Sequence, residues 1–205
     1  MAAHLNYKYL DSGAMYRAVC LYCLQNNIDV NNPTEVIRSL SEINIRFENI
    51  KGKNITFLNG KNVEKDIRSM KVSTKVSEIS VIPEVRKTLV KLQKELGKDK
   101  GIVMDGRDIT SVVFPDAELK IFVTADVMVR TNRRYQELLN QGKDVTFESV
   151  KKNLIHRDNI DTSRDHSPLI KVEDAFLIDN TYLNRKEQLQ VALRFMDHVL
   201  QQLSN

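Results

Sequence analysis

The residues whose types and spacing could do chemistry fall in three short stretches, each close to an apolar run. They read "LDSGAMYR" (10–17), "MDGRD" (104–108) and "HRDNIDTSRDHSPL" (156–169). Each stretch places acids beside arginines, and the first adds a hydroxyl and a phenol. An arginine can bond two phosphate oxygens at once, so such clusters are typical of sites for phosphorylated ligands. A single arginine of this kind is more often a solvated surface residue, but acid–arginine pairs after two different strands favour a functional site.

The segments around these stretches predict an α/β fold. Short apolar runs predict strands at residues 7–10, 102–105, 119–125 and 175–180. Helical periodicity lies between them, at residues 13–25, 34–40, 71–81, 126–139 and 148–158, from Pro83 onward, and in a closing segment that reaches Leu203. Strands that alternate with helices indicate a mostly parallel sheet of buried strands, whose carboxyl ends meet at one ligand-binding edge. The arginines that we expect to converge there are Arg17, Arg107, Arg157 and Arg164.

Residues 27–70 differ in pattern from the rest of the chain. The segments "INIRFENI" and "NITFLNGKNV" alternate apolar and polar residues, which predicts antiparallel strands. Asn59 and Gly60 form a dipeptide that strongly favours a two-residue hairpin turn. We therefore predict a small antiparallel subdomain at residues 27–70, inserted into a core formed by residues 1–26 and 71–205.

Composition excludes several classes of protein. The 205 residues carry a formal net charge of +4, with 41% hydrophobic and 28% charged residues, which is typical of a folded globular chain. The sequence contains neither a secretory signal nor an apolar run of about 18 residues, so we expect a cytoplasmic protein without a membrane partner. The mild basic charge comes without a nucleic-acid motif or a pattern of stacking aromatics, so nucleic acid is not an expected partner.

Cys20 and Cys23 form a C-x-x-C pair, which could be a redox pair or half of a zinc site. The sequence contains no second cysteine pair, and both cysteines lie in a predicted helix. The interpretation that we favour is therefore two small hydrophobic core residues.

Four motifs, taken in order, resemble those of bacterial cytidylate kinases, a family of nucleoside monophosphate kinases. They are "YLDSGAMYRAV", "VIPEVR", "VMDGRDI..VVFPDA.LKIF" and "RD..D.SR..SPL....DA", between about Tyr9 and Asn180. The resemblance implies a monomeric enzyme that transfers the γ-phosphoryl group of ATP to CMP or dCMP, with Mg²⁺ as cofactor. It also implies a P-loop kinase-like parallel sheet flanked by helices, with the inserted antiparallel sheet as an NMP-binding subdomain and a helical lid at about 140–170.

The resemblance assigns most of these residues to the binding of CMP. An acid can accept a hydrogen bond from the cytosine amino group, while arginine and serine can donate to the ring acceptors. The residues implied for the base are Ser77, Arg86 and Asp108. Those implied for the phosphate are Arg17, Arg107 and Arg164. Those implied for the sugar, or for the rest of the CMP site, are Asp161, Asp11, Ser12 and Tyr16.

The resemblance implies a smaller catalytic set. Arg157 corresponds to an arginine of the mobile lid that approaches the transferred phosphoryl group, and Arg107 lies on the acceptor phosphate. Asp105 corresponds to the acid that orders the magnesium shell, through water. Phosphoryl transfer needs positioning and charge neutralisation more than covalent chemistry, and these three residues would supply both.

The donor site is the part of the family pattern that the sequence lacks. The family binds the phosphates of ATP with a P-loop, G-x-x-x-x-G-K-[ST], and none of the seven glycines fits this pattern. Family members place that loop and the first, central strand of the sheet upstream of "YLDSG". We therefore expect a copy truncated before this motif, with a gap in its sheet and without full kinase activity. The alternative is a CMP-binding protein that is not an enzyme. Thr110 and Ser111, where the family has Gly-Thr, are a smaller departure.

Overall fold

The computed structural model describes residues 1–50 and 52–203. Lys51, Ser204 and Asn205, which the predicted subdomain and core include, lie outside the described residues. Short 3₁₀ turns occur at Leu40–Glu42 and Asp66–Arg68, and a π-helical turn at Ile109–Val113. In chain order the other elements are α1 (Ala2–Leu5), β1 (Lys8–Asp11), α2 (Ser12–Gln25), α3 (Pro33–Ser39), β2 (Ile45–Ile50), β3 (Lys53–Leu58), β4 (Lys61–Asn62), α4 (Met70–Ser73), α5 (Val76–Ser80), α6 (Pro83–Gly97), β5 (Ile102–Asp105), β6 (Ile121–Thr124), α7 (Val127–Asn140), α8 (Phe147–Ser163), β7 (Phe176–Asp179) and α9 (Arg185–Leu203).

The parallel strands form two separate pairs rather than one continuous sheet. β1 pairs with β5, with Asp11 opposite Asp105, and β6 pairs with β7, with Thr124 opposite Asp179. Within the described residues the two pairs do not form a ladder with each other. The α/β class and the parallel pairing are therefore confirmed, and the gap expected from the sequence stays a prediction.

The prediction that all these strands are buried is wrong. Leu10 and Ile178 are buried, but Val123 and Leu177 are 50% and 53% exposed. A two-stranded pair leaves one backbone edge of each strand without a neighbour, so it cannot enclose its side chains as the middle of a larger sheet does. The apolar runs thus predicted the strands but not their burial.

The inserted segment forms the predicted antiparallel sheet, with β3 between β2 and β4. Asn59 and Gly60 connect β3 to β4 with φ angles of 49° and 79°, the left-handed values that a tight hairpin turn needs. The predicted turn is therefore confirmed. The division of the chain into core, inserted subdomain and lid stays a prediction.

The hydrophobic core is built around α2. Its buried side chains include Ala14, Ala18 and Val19, and the helix packs against α4, α5 and α6. Cys20 and Cys23 lie on the same helix as buried free thiols, and burial raises the pKa of the Cys20 thiol to about 12. Such a thiol stays protonated at neutral pH, which supports the core interpretation over a redox pair.

Two helices differ from their predicted bounds. The single helix predicted at 71–81 is divided into α4 and α5, with Thr74 and Lys75 between them. α8 continues to Ser163 instead of ending near residue 158, so Asp161 lies on a helix. Among the described residues, none of the helices has the length and apolarity that a membrane crossing requires.

Candidate functional site

Asp11 and Asp105 end the two strands of the first parallel pair and stand side by side there. Asp11 also caps α2: its Oδ1 accepts a hydrogen bond from the backbone N–H of Ala14 at 2.8 Å, and its Oδ2 pairs with Nη2 of Arg17 at 2.7 Å. The Ser12 hydroxyl donates to the carbonyl oxygen of Asp105 at 2.8 Å. These bonds fix the turn from β1 into α2 against the end of β5, at the sheet edge where the sequence predicts a site.

Gly106 makes this close approach possible. A Cβ atom at this position would lie 2.3 Å from Oγ of Ser12 and 2.8 Å from Cδ1 of Ile109, closer than side-chain contacts allow. The glycine of "MDGRD" is thus required by the contact between the loop after β5 and the start of α2. The next two residues, Arg107 and Asp108, then reach α8 and α6 respectively.

A buried ion pair joins Asp108 to Arg86 of α6. The Arg86 guanidinium also lies over the ring of Tyr16, 5.5 Å from its centre, and its Nη1 donates to the carbonyl oxygen of Ser80 at 3.0 Å. Ser77, earlier in α5, is buried as well, and its carbonyl accepts from the Ser80 hydroxyl. The three residues predicted for the base therefore come from α5, α6 and the loop after β5.

A second acid, Asp161 of α8, holds two arginines. Its Oδ2 accepts from Nε of Arg107 at 2.8 Å, and its Oδ1 accepts from Nη1 of Arg164 at 3.3 Å. The side chain of Arg164 is nearly enclosed, whereas that of Arg107 is 47% exposed. One carboxylate thus orients both arginines, and Arg107 keeps a surface that a ligand can reach.

Arg157 lies on the same helix as Asp161, but it forms no ion pair within the described part of the chain. Burial lowers the pKa of its guanidinium, and the charge of Arg107 lowers it further, against the attraction of Asp161. Burial likewise lowers the pKa of Arg164, and Arg86 acts in the same direction. Both groups stay charged, because arginine titrates far above neutral pH. The predicted site residues include five arginines and four acids, which leaves positive charge for an anion.

Four buried donors of this region lack a hydrogen-bond partner among the described residues: the hydroxyl of Tyr16, Nε of Arg17, Nε of Arg86 and Nη2 of Arg164. An unpaired buried donor costs about 1–3 kcal/mol, so their grouping indicates that a ligand supplies the acceptors. Burial raises the pKa of Tyr16 to about 12, which keeps its hydroxyl a donor at neutral pH. The arrangement suits a ligand rich in acceptor oxygens, such as a phosphate ester.

Asp105 has the chemistry for a water-mediated metal contact. It is exposed at the end of β5, and its Oδ1 accepts from the Tyr9 hydroxyl at 2.7 Å. The described residues contain no group of three or more His, Cys, Asp or Glu that could enclose a metal ion. Magnesium keeps most of its waters and needs only one or two carboxylates beside substrate phosphates, so Asp105 fits that ion and no complete protein cage is required.

Two residues that contact the predicted set were missed by sequence reasoning. Tyr9 donates to Asp105, and Nη2 of Arg68 lies 3.3 Å from Oδ2 of Asp11. Tyr9 has a weak sequence signal, because it sits two positions before Asp11 and so shares its face of β1. Arg68 has none, because 57 residues separate it from Asp11 and only the folded insertion brings the two together.

Comparison with known proteins gives this site a family context. A family model described as cytidylate kinase matches residues 1–198 of the chain. A cytidylate kinase of Flavobacterium psychrophilum is 48% identical over 204 residues, which cover 97% of the chain and 90% of the relative. Those of Cytophaga hutchinsonii and Bacteroides fragilis are 51% and 50% identical, and each match covers 92% of the chain and 82% or 84% of the relative.

Proposed function

The chain belongs to the cytidylate kinase family, a family of phosphotransferases, and from this premise we propose that the site described above binds CMP or dCMP. The reaction transfers the γ-phosphoryl group of ATP to the bound monophosphate and yields ADP and CDP or dCDP, within pyrimidine nucleotide metabolism. The observation that carries the proposal is the group of four buried donors without partners, on Tyr16, Arg17, Arg86 and Arg164. A pyrimidine carbonyl and a phosphate together offer the acceptors that these donors need.

In this proposal the Arg86–Asp108 pair reads the cytosine base. Asp108 accepts from the amino group, and Arg86 and Ser77 donate to the ring acceptors. Uracil presents a carbonyl where cytosine has its amino group, so its oxygen would face the carboxylate acceptor to acceptor. A site built on such hydrogen bonds strongly rejects a base that leaves them unpaired, which supports a preference for CMP over UMP.

Three arginines would surround the CMP phosphate: Arg17, Arg107 and Arg164. Their orientation by two acids supports this role, because Asp11 holds the first and Asp161 holds the other two. Asp161 would also accept from the sugar hydroxyls. Prior orientation by acids means that little side-chain freedom is lost when the phosphate arrives.

Arg157 would stabilise the group in transfer. It pairs with no acid of the described residues, and it lies on α8, within the lid proposed at about 140–170. Phosphoryl transfer requires the attacking and leaving oxygens to be held in line while the charge between them is neutralised. Closure of a lid that carries an arginine supplies both and excludes water.

The proposed ATP and magnesium site rests on fewer contacts than the proposed CMP site. Mg²⁺ would be held by Asp105 through water, and when bound it neutralises charge on the donor phosphates. The sequence contains no G-x-x-x-x-G-K-[ST] to supply consecutive amides and a lysine. We therefore propose that the 205 residues bind CMP but use ATP poorly, and the alternative function is CMP binding without catalysis. As the family resemblance implies, we propose a cytoplasmic monomer, with neither nucleic acid nor membrane as partner.

Calorimetric titration with CMP, dCMP, UMP and AMP tests the binding proposal. CMP and dCMP should bind at least about tenfold more tightly than the other two, a difference of about 1.4 kcal/mol. Equal affinity for CMP and UMP would overturn the assignment of the base-reading residues. A coupled assay of CMP-dependent ADP release, with the Flavobacterium psychrophilum relative as reference, tests the activity. Turnover within about tenfold of the reference, about 1.4 kcal/mol in barrier, would overturn the proposal of poor ATP use.

A further inference from the structure

The Oδ2 atom of Asp11 receives two guanidinium groups. Nη2 of Arg17 lies 2.7 Å from it, and Nη2 of Arg68 lies 3.3 Å from it. Arg17 belongs to α2 and to the proposed phosphate set, whereas Arg68 ends the 3₁₀ turn at Asp66–Arg68, after the inserted sheet. One carboxylate oxygen thus connects the inserted segment to a proposed phosphate-binding arginine.

Arg68 is itself anchored to the inserted sheet. Its Nε donates to Oε1 of Glu64 at 2.8 Å, and Oε2 of the same carboxylate accepts from the backbone N–H and the hydroxyl of Thr56 at 3.1 and 2.9 Å. Thr56 lies in the middle strand, β3, and is 1% exposed. A continuous polar chain therefore runs from the inserted sheet through Glu64, Arg68 and Asp11 to Arg17.

A cavity of about 320 Å³ separates the inserted sheet from β1 at this place. Its lining includes Asn54, Ile55 and Thr56 of β3 and Tyr9 and Asp11 of β1. Side chains that do not fill the space between them transmit little displacement by packing. Leu58, Val63 and Ile67 of the inserted segment pack in the core around α2, and the polar chain beside the cavity is the connection that ends on the charge of Arg17.

We propose that Arg68 is a positioning residue that couples the inserted segment to Arg17 through the shared oxygen of Asp11. This inference rests on the proposed function, in which Arg17 binds the CMP phosphate. Two cations that share one carboxylate each receive part of its attraction, so Asp11 orients Arg17 while part of the Arg17 charge stays available to a phosphate. Without Arg68, Asp11 would neutralise Arg17 more completely, and the inserted sheet would lose this polar connection to the phosphate site.

Dissociation constants for CMP and cytidine test this coupling, because cytidine lacks the phosphate and reports the base site alone. Arg68→Ala should weaken CMP binding by about 3- to 30-fold and cytidine binding by less than about twofold. Arg46→Ala is the matched control, because Arg46 pairs with Glu48 on the same sheet and its side chain, like that of Arg68, is 54% exposed. The control should change neither constant.

Glu64→Gln gives the sharpest result, because a simple charge effect and the proposed coupling predict opposite changes in CMP affinity. By charge alone, the loss of an acid near the site should tighten CMP binding. A glutamine has one acceptor oxygen in place of two, so it cannot serve both Thr56 and Arg68, and the coupling predicts weaker CMP binding. Unchanged or tighter CMP binding overturns the proposal. An equal loss of CMP and cytidine affinity also overturns it, because that result is typical of a merely structural role.

Arg17→Ala separates this inference from the proposed function. If Arg17→Ala leaves the ratio of CMP to cytidine affinity unchanged, Arg17 does not bind the phosphate. The proposed phosphate set is then wrong, and Arg68 cannot act on phosphate binding through Arg17. If Arg17→Ala weakens CMP binding and Arg68→Ala does not, only the coupling is wrong. If Arg68 acts through Arg17, Arg68→Ala should add less than about twofold to the loss in the Arg17→Ala protein, and a fully additive loss overturns the proposal. Should Arg68→Ala fail to fold in a thermal unfolding assay, the direction of the change in CMP affinity in Glu64→Gln decides.

Discussion

Arg86 and Asp108 form an ion pair that is closed to solvent, with only 5% of each side chain exposed. Desolvation offsets much of the attraction in such a pair, so its presence is weak evidence for a stabilising role. Nε of Arg86 is buried without a partner among the described residues, so the pair retains hydrogen-bonding capacity for a ligand. The base-reading proposal depends on these two side chains, and removal of either one would leave the other as an uncompensated buried charge.

Asp108→Asn should destabilise the protein by about 3–5 kcal/mol, because it leaves the buried Arg86 guanidinium without a counter-charge. It should also reduce the preference for CMP over UMP, since an amide can turn its donor toward the uracil carbonyl. Urea unfolding followed by circular dichroism measures the first effect, and calorimetry with both nucleotides measures the second. Glu95→Gln, in the exposed pair with Lys98, is the control and should have no measurable effect on either. A stability change as small as the control's would contradict this account of the pair.

Arg107→Ala and Arg164→Ala should each weaken CMP binding, because each removes a charge-assisted contact worth about 1.5–3 kcal/mol. Their effects on stability should differ. Arg164 is nearly enclosed and shares Asp161, so its loss should also lower the melting temperature, whereas the loss of the half-exposed Arg107 should change it little. Calorimetry with CMP and thermal unfolding measure the two effects. Wild-type affinity for CMP in both variants would mean that Arg107 and Arg164 are surface or structural arginines that do not bind the phosphate.

Short sequence patterns predicted the hairpin turn and the strand ends, because these features depend on residues close together in the sequence. The Asn59–Gly60 turn forms because those residue types accept left-handed backbone angles, wherever the hairpin lies in the fold. The acids at positions 11 and 105 each end an apolar run, and parallel pairing of the two strands was enough to bring them together. The pairing of these two acids therefore followed from strand ends, whereas Ser77, Arg86 and Asp161, which lie on helices, were assigned by the family resemblance.

Features that depend on distant neighbours could not be predicted in the same way. The exposure of Val123 and Leu177 follows from which strands become neighbours, and an apolar run is the same in a central strand and in a two-stranded pair. The division of the helix predicted at 71–81 into α4 and α5 has no signal in the apolar spacing of that segment. Arg68 reaches Asp11 only because the inserted segment folds back onto the core.

CMP binding should tighten as the pH rises from about 5 to about 7.5, because the second pKa of a phosphate ester is about 6. The arginines stay protonated throughout this range, although burial lowers the pKa of Arg157 and Arg164, so the change in charge belongs to the ligand. Above that pKa the phosphate carries a second negative charge, which the positive site attracts. CMP affinity should therefore increase with pH. Calorimetry at several pH values measures it, with cytidine as the ligand control. A parallel pH dependence for cytidine would assign the effect to the protein and contradict a phosphate-binding role for the arginines.

Gly106→Ala tests whether the close contact between the loop after β5 and α2 holds the site together. The added Cβ would lie 2.3 Å from Oγ of Ser12 and 2.8 Å from Cδ1 of Ile109, so the loop must move. Overpacking of this kind costs about 1–3 kcal/mol, and CMP affinity should fall as well, because Arg107 and Asp108 follow directly in the same loop. Ser12→Ala removes the closer clashing atom at the loss of one hydrogen bond, so Gly106→Ala should cost at least about 0.5 kcal/mol less in that background. Urea unfolding of the two single variants and the double variant measures this difference. Strictly additive changes would mean that the Ser12 contact does not fix the loop, and that the glycine is required by Ile109 alone.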